Sequence, residues 1–231
     1  MIKALVFDFD GLILETEMPA FQAWQEIYRE YDCELPLDEW VACVGGTVKD
    51  FDPCQYLETM SGRSIERVAV EARRRQRQLE IVARQETLPG VENYLSEARR
   101  LGLRVGLASN SSRTWVTDHL RRLGLFDQFD CLKCGDEVAR QKPDPELYLA
   151  ALKALDTPAH QAIAFEDSPN GVRAARAAGL FSVAVPNVIT KQLPLDHADL
   201  RLPSLASWPL TDVILYAERE LQKRAGAQLT Q

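Results

Sequence analysis

The sequence predicts an α/β protein, a doubly wound parallel sheet with an all-helical segment inserted after its first strand. Three observations predict it. From residue 87 onward, apolar runs alternate with helical patterns. The apolar runs are continuous rather than every second residue, as in strands covered on both faces. Residues 15–86 hold helical patterns and no strand-like run.

The first strand is the apolar opening MIKALVF, and it runs straight into Asp8-Phe9-Asp10-Gly11. Helical patterns follow at 21–31, 37–43, 53–60 and 65–83. The sheet resumes after Leu88-Pro89-Gly90, with strands expected at 104–109 (RVGLAS), 131–134 (CLKC), 162–166 (AIAFE) and 182–185 (SVAV). Helices are expected between them at 91–100, 112–123, 145–155 and 170–178, and a last one at 211–223. Gly102, Gly124 and Gly179 each follow a helical pattern, where C-terminal capping glycines stand. Residues 1–14 and 87–231 therefore read as a core domain and 15–86 as a cap. An insert after the first strand sits over that strand's carboxyl end, where doubly wound folds bind ligands.

The chain has 231 residues, 46% hydrophobic and 26% charged, with a net charge of −7. That balance is ordinary for a globular protein with a sizeable core. An acidic chain without a basic face is not expected to bind nucleic acid. No run of about 18 apolar residues is present, so no membrane span is expected. The opening reads as a strand rather than a signal peptide, which predicts a cytoplasmic protein. The expected oligomeric state is a monomer or weak dimer. The five cysteines form no regular framework, and Cys131-Leu132-Lys133-Cys134 lacks the second pair that a zinc site needs. They read as buried reduced thiols.

The chemistry lies at the strand ends. Asp8 and Asp10, two residues apart, point to the same side of a strand. Such a pair can be bridged by a divalent cation, can divide the roles of nucleophile and acid, or can merely cap a turn. Ser109 and Asn110 sit where the next strand enters a helix, a place that suits an anion or a simple serine cap. Lys142, in the stiff Lys142-Pro143-Asp144-Pro145, puts one positive charge in the cleft or in solvent. Glu166 and Asp167 end another strand directly before a helix. All four sets converge on one edge of one sheet. Several acids with one lysine and a hydroxyl point to a hard, oxygen-ligated cation, Mg²⁺, beside a phosphate.

On these residues the sequence resembles the haloacid dehalogenase superfamily, and within it the branch of helical-capped phosphatases and β-phosphoglucomutases. The match runs through D-F-D-G (Asp8, Asp10), S-N (Ser109, Asn110), K-P-D-P (Lys142) and E-D-S-P-N-G (Glu166, Asp167), in order and spacing, over nearly the whole chain. The resemblance implies an aspartyl-phosphate mechanism. Asp8 would attack phosphorus, and Asp10 would protonate the leaving oxygen and then activate water. Asp8, the backbone carbonyl of Asp10 and Asp167 would hold Mg²⁺, with Glu166 a direct ligand or just behind. Ser109, Asn110 and Lys142 would bind the transferring phosphoryl group. Dehalogenases of the superfamily lack the second aspartate, so Asp10 argues for phosphate chemistry.

The expected substrate is a small phosphorylated metabolite such as a sugar phosphate, hydrolysed by a Mg²⁺-dependent phosphatase. The alternative is a β-phosphoglucomutase-type isomerase. Mutases of the family carry a histidine where this chain has Ala20 and an arginine where it has Lys49, and both departures favour hydrolysis. Lys49 would meet a polar or anionic part of the substrate. The basic run 71–77 points around its helix, so most of it is expected in solvent, with Arg75 the candidate to reach the cleft. Trp24 and Trp40 read as packing residues. His119, His160 and His197 match no motif.

Overall fold

The structure, a computed structural model, describes residues 1–44 and 51–228. In chain order its elements are β1 (Ala4–Phe7), α1 (Glu17–Glu30), α2 (Leu37–Val44), α3 (Pro53–Ser61), α4 (Arg67–Val82), α5 (Val91–Arg100), β2 (Arg104–Ser109), α6 (Arg113–Arg122), β3 (Cys131–Cys134), α7 (Glu146–Ala154), β4 (Ala162–Glu166), α8 (Pro169–Ala177), β5 (Phe181–Ala184), β6 (Leu200–Arg201) and α9 (Leu210–Gln228). The strands form one six-stranded sheet in the order β3-β2-β1-β4-β5-β6. Every neighbouring pair is parallel.

The chain winds from β1 outward to β3, then returns to place β4 on the other side of β1. The winding reverses between β1 and β4, and their carboxyl ends open the crevice where such sheets bind ligands. Register sets what stands there. Phe7 pairs with Leu107 on one side and with Phe165 on the other. Asp8, Ala108 and Glu166 are thus the next residues out on three adjacent strands.

Alternation along β1 divides the core. Leu5 and Phe7 face Leu107, Phe165, Tyr94 and Val213. Ala4 and Val6 face Ala108 and Ala164 under Leu147 and Tyr148. The alanines on this second face let α7 and α8 lie close to the sheet. Cys131 packs against the second face and Cys134 lies within the first, so the C-x-x-C thiols are on opposite sides of the sheet.

Helices α1 to α4 intervene between β1 and α5 and carry their own apolar cluster around Trp24, Tyr28, Trp40 and Leu57. Ile189 and Leu193, from the segment after β5, pack into it. The chain leaves and returns side by side, because Leu14 forms an isolated bridge with Thr87 and the Leu88 amide donates to the Ile13 carbonyl at 2.9 Å. Part of the basic run is not simply solvated. Arg73 and Arg77 reach across to Glu30 and Glu26 of α1, each at 2.7 Å. Among the described residues no helix is long and apolar enough to cross a membrane.

Several elements differ from the sequence expectation, most by a residue or two at their ends. The fourth helix-flanked strand starts at Phe181, because Phe181 pairs with Ile163. α1 starts at Glu17 rather than Phe21, since the Glu15 carboxylate accepts from the amides of Glu17 and Met18 at 3.0 and 3.1 Å and Pro19 is tolerated in a first turn. β6 was not expected, because two residues carry no readable pattern.

Candidate active site

Lys142 is the centre of the crevice. Its side chain is 5% exposed, and its ammonium donates to Asp8 Oδ1 at 2.6 Å, Glu166 Oε1 at 2.6 Å and the Ala108 carbonyl at 2.7 Å. These three bonds use every proton an ammonium has. Burial opposes its charge, but Asp8 and Glu166 more than offset that and hold Lys142 protonated well past its ordinary range. Its backbone is clamped by Asn110, whose Oδ1 accepts from the Lys142 amide at 2.9 Å and whose Nδ2 donates to the Lys142 carbonyl at 3.3 Å. The second and third motifs thus act on each other.

Glu166 is fully buried. Besides Lys142, it accepts from the Tyr148 hydroxyl at 2.6 Å, while Ser168 Oγ lies 3.4 Å from its other oxygen. A Cβ on Gly171 would fall 1.8 Å from Glu166 Oε2, so the glycine makes room for this carboxylate. Glu166 therefore braces the lysine. Asp167, 4% exposed, accepts from Asn187 Nδ2 at 2.8 Å. Gly11, at φ +75°, turns the chain under it, and a Cβ there would fall 2.4 Å from Asp167 Oδ2.

Ligand oxygens of Asp8, Glu166 and Asp167 all lie within 4.8 Å of one another. Burial, with Glu166 and Asp10 nearby, pushes the Asp8 carboxyl up to about 8 against the pull of Lys142. Burial, then Asp8, Glu166 and Glu17, raise Asp167 as well, against the pull of Lys142. Three buried carboxylates facing one ammonium are short of positive charge. An oxygen-ligated divalent cation fits this donor set and would reverse both shifts.

The Asp10 carboxylate turns away from that cluster. It accepts from Ser111 Oγ at 2.7 Å, Trp115 Nε1 at 2.9 Å and Ser109 Oγ at 3.3 Å. Asp8, Asp10, Ser109, Asn110, Lys142 and Asp167 line one cleft of about 160 Å³. An adjoining cleft of about 400 Å³ lies between α4 and the sheet edge, lined by Asp10, Glu17, Ala20, Arg75, Asn110 and Trp115. Arg75 thus stands on the cleft wall, exposed. Lys49 lies outside the described residues.

Several residues here were not found from the sequence: Glu17, Ser111, Trp115, Tyr148 and Asn187. Glu17 lines both clefts. Burial, then Asp10 and Glu15, pushes its carboxyl up to about 7 from an ordinary 4.5. Since the folded value lies above the unfolded one, ionising Glu17 weakens the fold progressively between these values and by a constant amount above them. Glu17→Gln is expected to stabilise the protein on the order of 1–2 kcal/mol at about pH 8 and hardly at all at about pH 4. Thermal melts of the two proteins at the two pH values check this. A residue expected to cost stability beside this cleft has the mark of a functional one.

A doubly wound sheet whose switch point gathers four acids, a lysine and a serine defines an enzyme of anion-transfer chemistry. The model of the haloacid dehalogenase-like hydrolases matches residues 2–179, and the chain belongs to this family. It is 44% identical over 210 residues to YhcW of Bacillus subtilis (strain 168), a phosphatase by name, covering 91% of this chain and 95% of the relative. It is 28% identical to the β-phosphoglucomutase of the same organism, over 80% of this chain and 83% of that one. Among solved structures, CbbY from Rhodobacter sphaeroides in complex with phosphate superposes with a TM-score of 0.69 at 30% identity, covering 90% of this chain and 96% of that one. A further CbbY structure holds xylulose-(1,5)bisphosphate, with a TM-score of 0.69, 29% identity and the same coverage of both chains.

Proposed function

We propose that this chain is a Mg²⁺-dependent phosphatase that hydrolyses a small phosphorylated metabolite, a sugar phosphate or similar monoester, through an aspartyl-phosphate. The observation that carries the reading is Asp8 held at 2.6 Å by the buried Lys142, with Asp10 on the wall of the same cleft. In the first step an oxygen of Asp8 bonds to phosphorus while the ester P–O bond breaks. The proton on Asp10 passes to the departing oxygen, which leaves as an alcohol. In the second step water attacks phosphorus and gives its proton to Asp10. The bond to Asp8 breaks, and inorganic phosphate departs. Ser109, the Asn110 amide and Lys142 stabilise the charge on the phosphoryl oxygens. Asp8, Asp167 and the backbone carbonyl of Asp10 would hold Mg²⁺, which supplies charge neutralisation at the phosphoryl group, with Glu166 behind them.

The helical insert, residues 15–86, serves as the cap that covers this cleft and chooses the substrate. Two features support a polyol phosphate with a second charged or polar end. Glu17 offers an acceptor for hydroxyls close to the reacting group, and Arg75 offers a cation further out. The relative CbbY, with its bound sugar bisphosphate, is in keeping with that shape. Arg75→Ala is expected to raise KM for a sugar bisphosphate about tenfold, with kcat much less affected and a monophosphate little changed. Steady-state kinetics on both substrates check it. Ala20 lies on the same cleft wall and has no group that transfers protons, which weighs against the mutase alternative.

The test is phosphate release from a panel of phosphorylated metabolites, with Mg²⁺ and with chelator. Release that needs the metal supports the reading. No release from any monoester overturns it, and undiminished release under chelator overturns the metal requirement.

A further inference from the structure

Ser111, two residues before α6, and Trp115, in its first turn, grip the two oxygens of Asp10. Trp115 Nε1 donates to Oδ1 at 2.9 Å, and Ser111 Oγ donates to Oδ2 at 2.7 Å. The two grips differ in kind. An indole N–H can only donate, so Oδ1 is committed as an acceptor whatever else happens. Hydroxyls both give and accept, so Oδ2, between Ser111 and Ser109, is the oxygen free to carry a proton and pass it on.

Trp115 is itself held. His119, one helical turn later, is buried and meets the indole edge to face, ring centroids 4.3 Å apart at 71°. Phe9, the residue between the two aspartates, stacks on His119 with centroids 6.3 Å apart. The strand end that carries Asp10 and the helix that holds it are thus packed together, and the indole has little freedom to swing away.

We infer that Trp115, together with Ser111, is a positioning residue for the proton-transferring Asp10. It fixes Oδ2 as the oxygen that serves the leaving group. The inference rests on the phosphatase reading above and assigns a part within it. Trp115 stands in the cleft wall but acts through Asp10, not on phosphorus.

The test uses two aryl phosphates. Phenolate is a poor leaving group and needs a proton, whereas 2,4-dinitrophenolate leaves without one. The measured quantity is kcat/KM, which reports the step that releases the aryl group. It is measured for wild type, Asp10→Asn, Trp115→Phe and the double variant. Asp10→Asn is expected to lose far more on phenyl phosphate than on the dinitrophenyl ester. Trp115→Phe, which keeps an aromatic ring against His119, is expected to show the same split, about tenfold. Added to Asp10→Asn it is expected to cost less than about twofold more, because the two act as one unit. Equal losses of Trp115→Phe on both esters, or a full additional loss in the double variant, overturn the inference while the Asp10 split keeps the phosphatase reading. Absence of the split in Asp10→Asn overturns the acid role of Asp10 and the inference with it, whereas loss of the phosphatase reading would need no release from either ester in wild type. Circular dichroism checks folding. If Trp115→Phe does not fold, Ser111→Ala, which trims one hydroxyl, is read by the same criteria.

Discussion

Lys142→Met is expected to lose about a hundredfold to a thousandfold in turnover of an aryl phosphate and about 3–5 kcal/mol of stability together. The two losses have one cause. The ammonium is buried and spends its three protons on Asp8, Glu166 and the Ala108 carbonyl. Methionine fills much the same volume and offers none. Glu166 would then be left fully buried with only Tyr148 and a distant Ser168 hydroxyl, and Asp8 would face two acids with no cation between them. Breaking one side of a buried pair is costly because the other charge stays behind. The pH dependence has a definite sign. The folded-state pKa of Lys142 lies above its ordinary value, so its contribution is complete at neutral pH and is lost only as pH rises through the folded value. In Lys142→Met the carboxylates escape by taking protons, so the deficit should shrink on acidification towards about pH 5. Chemical denaturation at two pH values measures the deficit, and steady-state kinetics measure turnover. A stable variant with lost activity would mean that the lysine serves the phosphoryl group alone.

The part of this site that the sequence reveals is the part carried by strand ends. Asp8, Ser109 and Glu166 each lie at the end of a continuous apolar run, and a parallel register turns such positions into neighbours. Lys142 was legible for another reason, as a charge set in stiff proline-flanked chain before a helix. The residues that hold these groups were not legible, because they come from helix interiors and loops whose patterns signal only packing or turns. Trp115 and Tyr148 lie inside α6 and α7, where an aromatic side chain carries no signal beyond packing. Asn187 sits in a loop, and its bond to Asp167 depends on where β5 delivers the chain. Glu17 was hidden by a boundary, since a helix read as starting at Phe21 leaves residue 17 in a linker. The capping by Glu15 carries the helix back to Glu17 and points that residue into the cleft. Arg75 was separable from Arg73 and Arg77 only as a candidate. The structure shows the difference, because those two are paired with α1 while Arg75 lines the cleft that Asp10 also lines.

Asp8→Asn is expected to abolish turnover, by at least about ten-thousandfold, and to leave the fold as stable as before or more so. The substitution changes no volume. It takes away the oxygen that attacks phosphorus in the proposed mechanism, and with it the site's capacity for one more negative charge. The wild-type carboxyl is pushed up to about 8, so at neutral pH the fold favours its neutral form in the absence of a cation. Asparagine is that neutral form made permanent, and its oxygen can still accept from Lys142. Sign and size therefore separate the two variants: Lys142→Met should lose activity and stability, Asp8→Asn activity alone. The experiment also decides how phosphorus is attacked. Were water the direct nucleophile, with Asp8 only a metal ligand, Asp167 and the Asp10 carbonyl could still hold a cation and measurable hydrolysis would persist at raised Mg²⁺. With Asp8 as the nucleophile, no metal concentration restores it. Rapid acid quench of wild type with a labelled phosphate ester should then trap label on the protein, and Asp8→Asn should trap none.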